Sequence, residues 1–440
     1  MKVAMVTPMS PESAIADVMI QAVPDLSARW ELEVWCPSEA NYRPCSVRVR
    51  PFAKADADVL NALTKFDLVI YVLGNSAWHS RILPLAQSLP GLVILHDASL
   101  TDLVRQTAIE TGALESLLAR VKADSGPENA AVLRHPEHAV ADGGWLQFCA
   151  KVPLDEVATS GSLGVVVHSQ WHAKRIDGRT LGDVTVAPLP VPSTRLGFEK
   201  NQSAGSSLLL NALPEEALLL VTLGSVNSNR HIDRLLMAIA DDDLLSSRLH
   251  LWAVGAAEEK ARVDLLRLAR RLGLKDRFAV TGRVTDALLH EILERADIAA
   301  ALRDPVLEGQ SASVLTQMLS GTPIVVYDHA HYSELPDDVA LKVDLEDALA
   351  GVRNALRRLV DDESERARLG EHARDYVLRS RSGAAYAAAL LEAGERALAT
   401  KPLAHLSADL GAHLRRLGLQ KEPAVVEAVS DLAFELFNLG

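Results

Sequence analysis

Cysteine is scarce in this 440-residue chain, which contains only Cys36, Cys45 and Cys149. An odd and widely spaced set of this kind offers neither a disulfide framework nor a CxxC metal pair, and it favours a reducing compartment. Long apolar runs are also missing, since no uninterrupted stretch reaches the ~18 residues of a membrane-spanning helix. The apolar stretch at the start of the chain is too short for a signal peptide. We therefore expect a cytoplasmic protein without a transmembrane segment.

Positive charge is in deficit as well. The 45 Lys and Arg residues are outnumbered by 58 Asp and Glu residues, which gives a net charge of −13. Because a nucleic-acid backbone requires a broad basic surface, we exclude nucleic acid as a partner, although a local basic cleft remains compatible with this balance. Aromatic residues make up 4% of the chain against 48% for all hydrophobic residues. The core is therefore predicted to consist of Ala, Leu and Val contacts between helices and sheets.

Short apolar runs alternate with longer amphipathic segments through most of the sequence. Continuous runs of Val, Ile and Leu are typical of strands covered on both faces, and their alternation with helices predicts parallel sheets with right-handed crossovers. The predicted strands are Lys2–Thr7, Glu31–Cys36, Val47–Val49, Leu68–Leu73, Leu92–Leu95, Gly164–His168, Ala217–Leu223, Leu249–Val254, Arg277–Thr281, Ile298–Leu302 and Pro323–Tyr327. Neither half contains a GxGxxG segment, which argues against a nicotinamide dinucleotide site.

A break in this alternation marks the domain organisation. Three prolines in Val186–Pro192 cannot continue a helix or a central strand, and the polar segment Thr194–Ser207 follows them. We predict a Rossmann-like domain over residues 1–192, a linker over 193–213, a second Rossmann-like domain over 214–382 and a helical segment over 383–440. Pro402 is expected to interrupt that last segment, and residues 403–440 are a candidate contact for a homodimer or a partner.

The segment Leu302–Val326 contains the most informative pattern. A strand ends near Leu302, Glu308-Gly309 follows in a short loop, and Ser311 or Ser313 can cap the next helix. The carboxyl end of a strand followed by a helix N-terminus forms an anion site with free N–H groups. A carboxylate beside it would suit sugar hydroxyls. The alternative is a solvent-exposed glutamate next to an ordinary capped helix.

Histidines form the second group of candidates. His96 and Asp97 directly follow a buried strand, at the end where an open α/β sheet presents its ligands. His96 could donate a hydrogen bond to a substrate while Asp97 orients its ring, or the histidine could fix a turn. His79 could serve an acceptor pocket or cap a helix.

No metal site is predicted. His168 and His172 would share one helical face if that segment were helical, but no third ligand accompanies them. Asp56 and Asp58 are interpreted as a solvated helix start rather than a metal-binding DxD.

Taken in order, these segments resemble the retaining glycosyltransferases of family four, which have the GT-B fold. The donor-binding segment of that family is similar to the strand, Glu308-Gly309, helix and Gly321-Thr-Pro323 pattern. Further similar segments are Leu73–Ser76 with His79, Pro90–Asp97, Val165–Ser169, Ala187–Pro192, Leu223–Arg230, Val254-Gly255 and Thr281–Arg283, so that the resemblance covers about residues 1–395. It implies an α/β fold of two Rossmann-like parallel domains facing a cleft.

The resemblance also implies an activity: metal-independent transfer of a sugar, without a cofactor, from a nucleotide-diphosphate sugar to a hydroxyl acceptor. The acceptor would be a glycan, a lipid-linked sugar or a small molecule. Catalysis is assigned to His96, Asp97 and Glu308, and acceptor contact to His79 and Asn75. The implied donor-binding residues are Gly224, Ser225, Arg230, Arg283, Glu308, Gly309, Gln310, Ser311 and Thr316.

Three positions depart from the family pattern. Thr316 stands where a second glutamate usually holds the ribose, Ser225 replaces the first of two cations for the diphosphate, and Ala14 replaces a glycine. Arg230 fits the second cation, and Arg283 could compensate for the first. Two functions therefore stay open, an active glycosyltransferase or a catalytically weak or silent homologue that acts as a binding or partner subunit.

Overall fold

The protein is described here by a computed structural model. It describes residues 1–10, 13–37, 42–142, 144–191, 210, 213, 214, 216–419, 422, 424–429 and 432. The chain divides into two compact units: unit 1 comprises Met1–Pro188 and Ala384–Gly440, and unit 2 comprises Leu189–Gly383. Most of the predicted linker lies outside the described residues, so its limits stay a prediction.

Unit 1 contains a seven-stranded, fully parallel sheet in the order β3-β2-β1-β4-β5-β6-β7. Its strands are β1 Lys2–Val6, β2 Glu31–Cys36, β3 Val49–Pro51, β4 Leu68–Leu73, β5 Leu92–Leu95, β6 Gly164–Val167 and β7 Val184–Val186. Strands β4, β5 and β6 are buried along their whole length, as their continuous apolar runs predict. Two edge strands differ from prediction: β3 is shifted towards Pro51, and β7 was not predicted.

Most helices of unit 1 lie in the connections between its strands, and one long helix returns to it from the C-terminal part of the chain. They are Ala14–Ser27, Ala57–Leu63, Leu83–Ser88, Thr101–Glu110, Leu114–Ser125, Pro127–Arg134, Trp145–Lys151, Glu156–Thr159, Gln170–Ile176 and Gly383–Arg416, with 3-10 turns at Ala77–His79 and Pro136–Asp142. Asp56 caps one of them by accepting a hydrogen bond from the N–H of Val59. The interpretation of Asp56 and Asp58 as a helix start is therefore confirmed.

Unit 2 contains a six-stranded parallel sheet in the order β10-β9-β8-β11-β12-β13. Its strands are β8 Leu218–Leu223, β9 Leu249–Val254, β10 Phe278–Gly282, β11 Ile298–Ala301, β12 Ile324–Tyr327 and β13 Leu341–Val343. The helices are Ile232–Ala240, Asp243–Arg248, Glu259–Arg271, Asp286–Arg295, Ala312–Leu319, Ala348–Asp361 and Glu363–Ser380, with 3-10 turns at Ser228–Arg230, Lys275–Arg277 and Ala330–Glu334. The predicted class of two Rossmann-like parallel α/β domains is confirmed.

The C-terminal helix Gly383–Arg416 packs on the sheet of unit 1 rather than extending away from it. Its buried face places Gly394 so close to Trp30 that an added Cβ would lie 2.8 Å from the indole ring. Tyr386 is buried on the same face, and its hydroxyl donates to the sulfur of Met19 at 3.9 Å. The predicted interruption at Pro402 is wrong, because the helix continues through that residue. Over the part of the chain that is described, no helix is both long and apolar enough to cross a membrane.

Candidate functional site

In unit 2, the carboxyl end of β8 is shaped by Gly224. This glycine has φ +118°, a region that disfavours residues with a side chain. An added Cβ would also lie 2.0 Å from Nη2 of Arg230. Gly255, at the end of β9, approaches the carbonyl oxygen of Gly224 as closely, with 2.2 Å to its ideal Cβ position. Gly224 therefore leaves room for Arg230 to pack across the strand end, and Gly255 leaves room for the backbone of Gly224.

Arg230 is a buried cation. It ends the turn Ser228–Arg230, is 5% exposed, and donates from Nη1 to the carbonyl oxygen of Leu223 at 2.5 Å. Among the described residues, its Nε has no hydrogen-bond partner. Burial, together with the nearby charge of Arg303, lowers the pKa of Arg230 to about 9. The guanidinium therefore remains charged at neutral pH and retains an unused donor.

Glu308 lies beside this cation and is held by three side chains. Arg303 Nη1 donates to one carboxylate oxygen at 3.0 Å, and the Tyr332 hydroxyl donates to the other, also at 3.0 Å. His331 Nε2 lies 3.8 Å from that second oxygen. Burial alone would raise the pKa of Glu308, but the charge of Arg303 and the contact with His331 hold it below its usual range. Glu308 is thus an ionised side chain that is only 12% exposed, and not the exposed loop residue of the alternative interpretation.

The cluster brings two guanidinium groups close to one carboxylate. Arg230 and Arg303 are two cations at the ends of β8 and β11, and Glu308 is the carboxylate that attracts both. The carboxyl ends of neighbouring parallel strands are where an open sheet binds its ligands. Guanidinium groups at that edge of the sheet suit an anionic ligand such as a phosphate.

The start of the helix Ala312–Leu319 lies next in the chain. Ser311 caps it, since its Oγ accepts from the N–H of Val314 at 3.4 Å, and this confirms the predicted cap. Gly309 precedes it and is buried. Gln310 uses Oε1 to accept from the N–H of Leu189 at 2.8 Å and from Arg381 Nη1 at 3.2 Å, and its predicted contact with the donor stays a prediction. Its side chain therefore joins distant segments of unit 2.

The other predicted donor residues are less tightly placed. Ser225 follows Gly224 but is exposed, and Arg283 is exposed beyond β10. Thr316 is half-buried, in the middle of its helix. The structure thus brings together Gly224, Arg230 and Glu308 and leaves Ser225 and Arg283 open to solvent.

In unit 1, His96 follows β5 and is 7% exposed. Its Nδ1 lies 3.1 Å from Nε2 of His168, which follows β6, and Nδ1 of His168 lies 2.8 Å from the carbonyl oxygen of Ala187. His168 therefore contacts the ring of His96 directly, and Asp97 Oδ2 accepts from the N–H of Asn75 at 2.6 Å. An orienting role for Asp97 stays a prediction. Burial, His168 and His79 hold the pKa of His96 well below its ordinary value.

The two predicted acceptor residues have partners within unit 1. His79 donates from Nδ1 to the carbonyl oxygen of Val72 at 2.9 Å, and burial lowers its pKa to about 4 despite that bond. Asn75 accepts from the N–H of Leu103 at 3.0 Å and donates to Asp102 at 3.0 Å. Asn75 therefore anchors the start of the helix Thr101–Glu110, and an acceptor contact by either residue stays a prediction.

Sequence reasoning missed Arg303, Tyr332 and the role of His168. Arg303 and His168 both lie at the carboxyl end of a predicted strand. A charged or titratable residue at that position is a candidate site residue even without a surrounding motif. His168 and His172 do not share a helical face, because only His172 lies in a helix. Within the described part of the chain, no group of three or more His, Cys, Asp or Glu residues is arranged to hold a metal ion.

Comparison with known proteins assigns the second unit. Residues 217–362 match the family described as glycosyl transferases group 1. The chain carries a glycosyltransferase group 1 domain. That domain contains β8 to β13 and the whole Arg230, Arg303 and Glu308 cluster, and it confirms the prediction of a glycosyltransferase. No curated protein matches the sequence.

Solved structures share the fold over nearly the whole chain. WaaG, a glycosyltransferase involved in lipopolysaccharide biosynthesis, is 16% identical, with a TM-score of 0.59 over 88% of this chain and 98% of its own. Anabaena HepE in complex with UDP is 14% identical, with a TM-score of 0.58 over 89% and 99%. Sucrose-phosphate synthase from Thermosynechococcus elongatus is 14% identical, with a TM-score of 0.58 over 89% and 97%. These similarities identify the fold as GT-B.

Proposed function

We propose that this chain transfers a sugar from a nucleotide-diphosphate sugar to a hydroxyl acceptor, with retention of the anomeric configuration. The observation that carries the proposal is the buried, incompletely paired guanidinium of Arg230 beside Arg303. A diphosphate leaving group gains negative charge as the glycosidic bond breaks, and fixed cations stabilise that charge most effectively where water is excluded. Anabaena HepE, which shares the fold, binds UDP and UDP-glucose.

The same two cations support metal independence. In many transferases a divalent ion neutralises the diphosphate, whereas here Arg230 and Arg303 offer planar donors that can grip phosphate oxygens in pairs. Arg303 takes the place of the cation missing at Ser225. Arg283 is exposed just beyond the edge strand β10 and is the weaker candidate for that position. We propose that no metal ion and no cofactor takes part, and full activity in the presence of EDTA is the expected result.

For Glu308 we keep the predicted role of positioning sugar hydroxyls and add a second one. Its two oxygens accept from Arg303 and Tyr332, so it also holds Arg303 in place. Each carboxylate oxygen can accept more than one hydrogen bond, which leaves capacity for a sugar hydroxyl. In unit 1, the neutral ring of His96 supplies a further polar contact for a hydroxyl-bearing substrate.

Calorimetry and thermal shift with UDP-, GDP-, ADP- and dTDP-linked sugars test the proposal. We expect one nucleotide class to stabilise the protein and to be hydrolysed or transferred slowly, with the anomer of the product read by proton NMR. Arg230→Ala should lower the affinity for the nucleotide sugar, and the rate of its hydrolysis or transfer, by at least about tenfold, which is the scale of one charge-assisted contact. The matched control is Arg277→Ala, which removes an arginine from the opposite edge of the sheet and should behave like the wild type.

The results separate the two functions that the sequence leaves open. Binding without turnover would favour the silent homologue, for which Ser225 and Thr316 are the motivating positions. In that case Thr316→Glu, which adds the carboxylate expected to hold the ribose, should strengthen nucleotide binding. An absence of stabilisation by every nucleotide sugar would contradict the transferase and the nucleotide-binding homologue together.

A further inference from the structure

Two buried histidines of unit 1 form a chain of hydrogen bonds with a backbone carbonyl. His96 and His168 follow the adjacent parallel strands β5 and β6, so both rings lie at the carboxyl edge of the same sheet. Their ring centroids are 4.5 Å apart, with Nδ1 of His96 3.1 Å from Nε2 of His168. His168 is 1% exposed, and its Nδ1 lies 2.8 Å from the carbonyl oxygen of Ala187. The line of contacts therefore ends on a backbone carbonyl.

The carbonyl of Ala187 fixes the direction of the hydrogen bond that it forms with His168, and the neutral form of His168 fixes that of the next one. A carbonyl oxygen can only accept, so Nδ1 of His168 carries the proton of that bond. When His168 is neutral, its one ring proton lies on Nδ1, so Nε2 has a lone pair and accepts from Nδ1–H of His96. With its proton on Nδ1, a neutral His96 has a bare lone pair at Nε2. That nitrogen is buried and has no hydrogen-bond partner among the described residues.

We propose that His168 is a positioning residue that holds His96 as its Nδ1–H tautomer, so that Nε2 of His96 acts solely as an acceptor for a substrate hydroxyl. The direction is opposite to the expectation that His96 donates. The nature of the ligand rests on the proposed function, because a sugar offers hydroxyl donors in abundance. The tautomer itself rests only on the contacts of His96, His168 and Ala187.

This arrangement has a specific consequence for selectivity. A nitrogen that can only accept forms a hydrogen bond with a sugar hydroxyl. If fluorine or a methoxy group replaces that hydroxyl, no proton is available, and the lone pairs of the substituent repel the lone pair of the nitrogen. An unpartnered buried acceptor also disfavours ligands that cannot donate. Analogues of the bound sugar that lack the hydroxyl contacting His96 should therefore bind less tightly, while the free nucleoside diphosphate should be unaffected.

Nitrogen NMR of the protein labelled with 15N-histidine tests the tautomer without any ligand. We expect His96 to show a protonated Nδ1 and a bare Nε2 at neutral pH. His168→Phe keeps an aromatic ring beside Tyr386, which lies 5.9 Å from His168, but removes the acceptor. It should release His96 to protonate Nε2. His168→Gln restores an acceptor near the same place and should restore the Nδ1–H form. A wild-type His96 that is protonated at Nε2, or unchanged in His168→Phe, overturns the inference.

Binding provides the second measurement. His168→Phe should weaken the affinity for the nucleotide sugar by about tenfold, the scale of one hydrogen bond, and leave that for the nucleoside diphosphate unchanged. His250→Phe, which replaces a buried histidine on β9 of unit 2, is the matched control and should change neither affinity. Equal losses for both ligands would show a general structural role and overturn the inference. If no nucleotide binds the wild type, the proposed function fails, whereas the NMR result still decides the tautomer.

Discussion

Replacing Glu308 with glutamine tests how unit 2 holds two cations in its interior. The variant keeps the shape of the side chain and an acceptor for Tyr332, but it removes the charge that Arg303 Nη1 contacts at 3.0 Å. Removing one partner of a buried ion pair costs about 3–5 kcal/mol, because the other charge stays buried. Since Arg303 and Glu308 are 15% and 12% exposed, water offsets part of this loss. We expect the free energy of unfolding at neutral pH to fall by about 3 kcal/mol, the lower end of that range.

The pH dependence of this loss follows from the depressed pKa of Glu308. In the unfolded chain a glutamate takes up its proton near pH 4.3, roughly its ordinary pKa, whereas in the folded chain Arg303 and His331 hold the pKa lower. The stabilisation by Glu308 is therefore fully present above the unfolded pKa and disappears as the pH falls through the folded one. The difference in stability between the wild type and Glu308→Gln should narrow as the medium becomes more acidic than about pH 4.

Urea unfolding from pH 7 to pH 3.5, with hydrogen exchange of peptides from β11 and β12, measures the difference. Glu259→Gln is the control, since it neutralises an exposed carboxylate paired with Arg262 at 2.8 Å and should leave stability unchanged. A nucleoside diphosphate that binds the wild type should stabilise Glu308→Gln by more, because its charge replaces the missing carboxylate. Equal unfolding of the variant and the wild type at neutral pH, or a gap that does not change with pH, would refute the role of Glu308 as counter-charge.

Two further substitutions examine the strand ends of each unit. Gly224→Ala places a Cβ 2.0 Å from Arg230 Nη2 and should lower nucleotide affinity at least about tenfold in calorimetry. Gly273→Ala, at φ +75° with nothing within 4 Å, is its control, and equal affinities in both variants would contradict the steric argument. His79→Leu removes a buried histidine whose pKa is lowered to about 4. Because the unfolded histidine binds its proton first, the wild type should lose about 3 kcal/mol more than His79→Leu between pH 7 and pH 4 in urea unfolding. Identical losses would show that His79 does not titrate in this way.

The central strands of both sheets could be predicted from the sequence because they are apolar throughout. Strands such as β4 and β5 have helices on both faces, and burial on both faces requires continuous Val, Ile and Leu. The three-residue edge strands β7 and β13 were missed. Their sequences, Val-Thr-Val and Leu-Lys-Val, are too short for a run and contain a polar residue. Their pairing depends on a neighbouring strand that local sequence does not reveal.

Site residues could be predicted where they lie within a recognisable sequence motif. They could not be predicted where their role depends on a residue that is distant in the sequence. Arg230 and Glu308 were found from their local segments, but Arg303 acquires its importance only when β8 and β11 lie side by side. His96 and His168 are 72 positions apart, with the helical segment between β5 and β6 intervening. Conversely, Gln310 belongs to the motif yet uses its amide oxygen to hold Leu189 and Arg381. The sequence shows which residue types are present, but the hydrogen-bond partners of each residue are known only from the three-dimensional structure.

The path of the chain through the two units bears on how the protein folds during synthesis. Unit 2 is one uninterrupted stretch, Leu189–Gly383, inserted between the two parts of unit 1. The last part of unit 1 contributes Tyr386 and Gly394 to the packing around Met19 and Trp30. Contacts between residues so far apart in the sequence form late. Domains generally fold as units during synthesis, the N-terminal parts first. Unit 2 can therefore complete its fold first. The sheet of unit 1 keeps part of its apolar surface exposed to water until the helix Gly383–Arg416 has been synthesised.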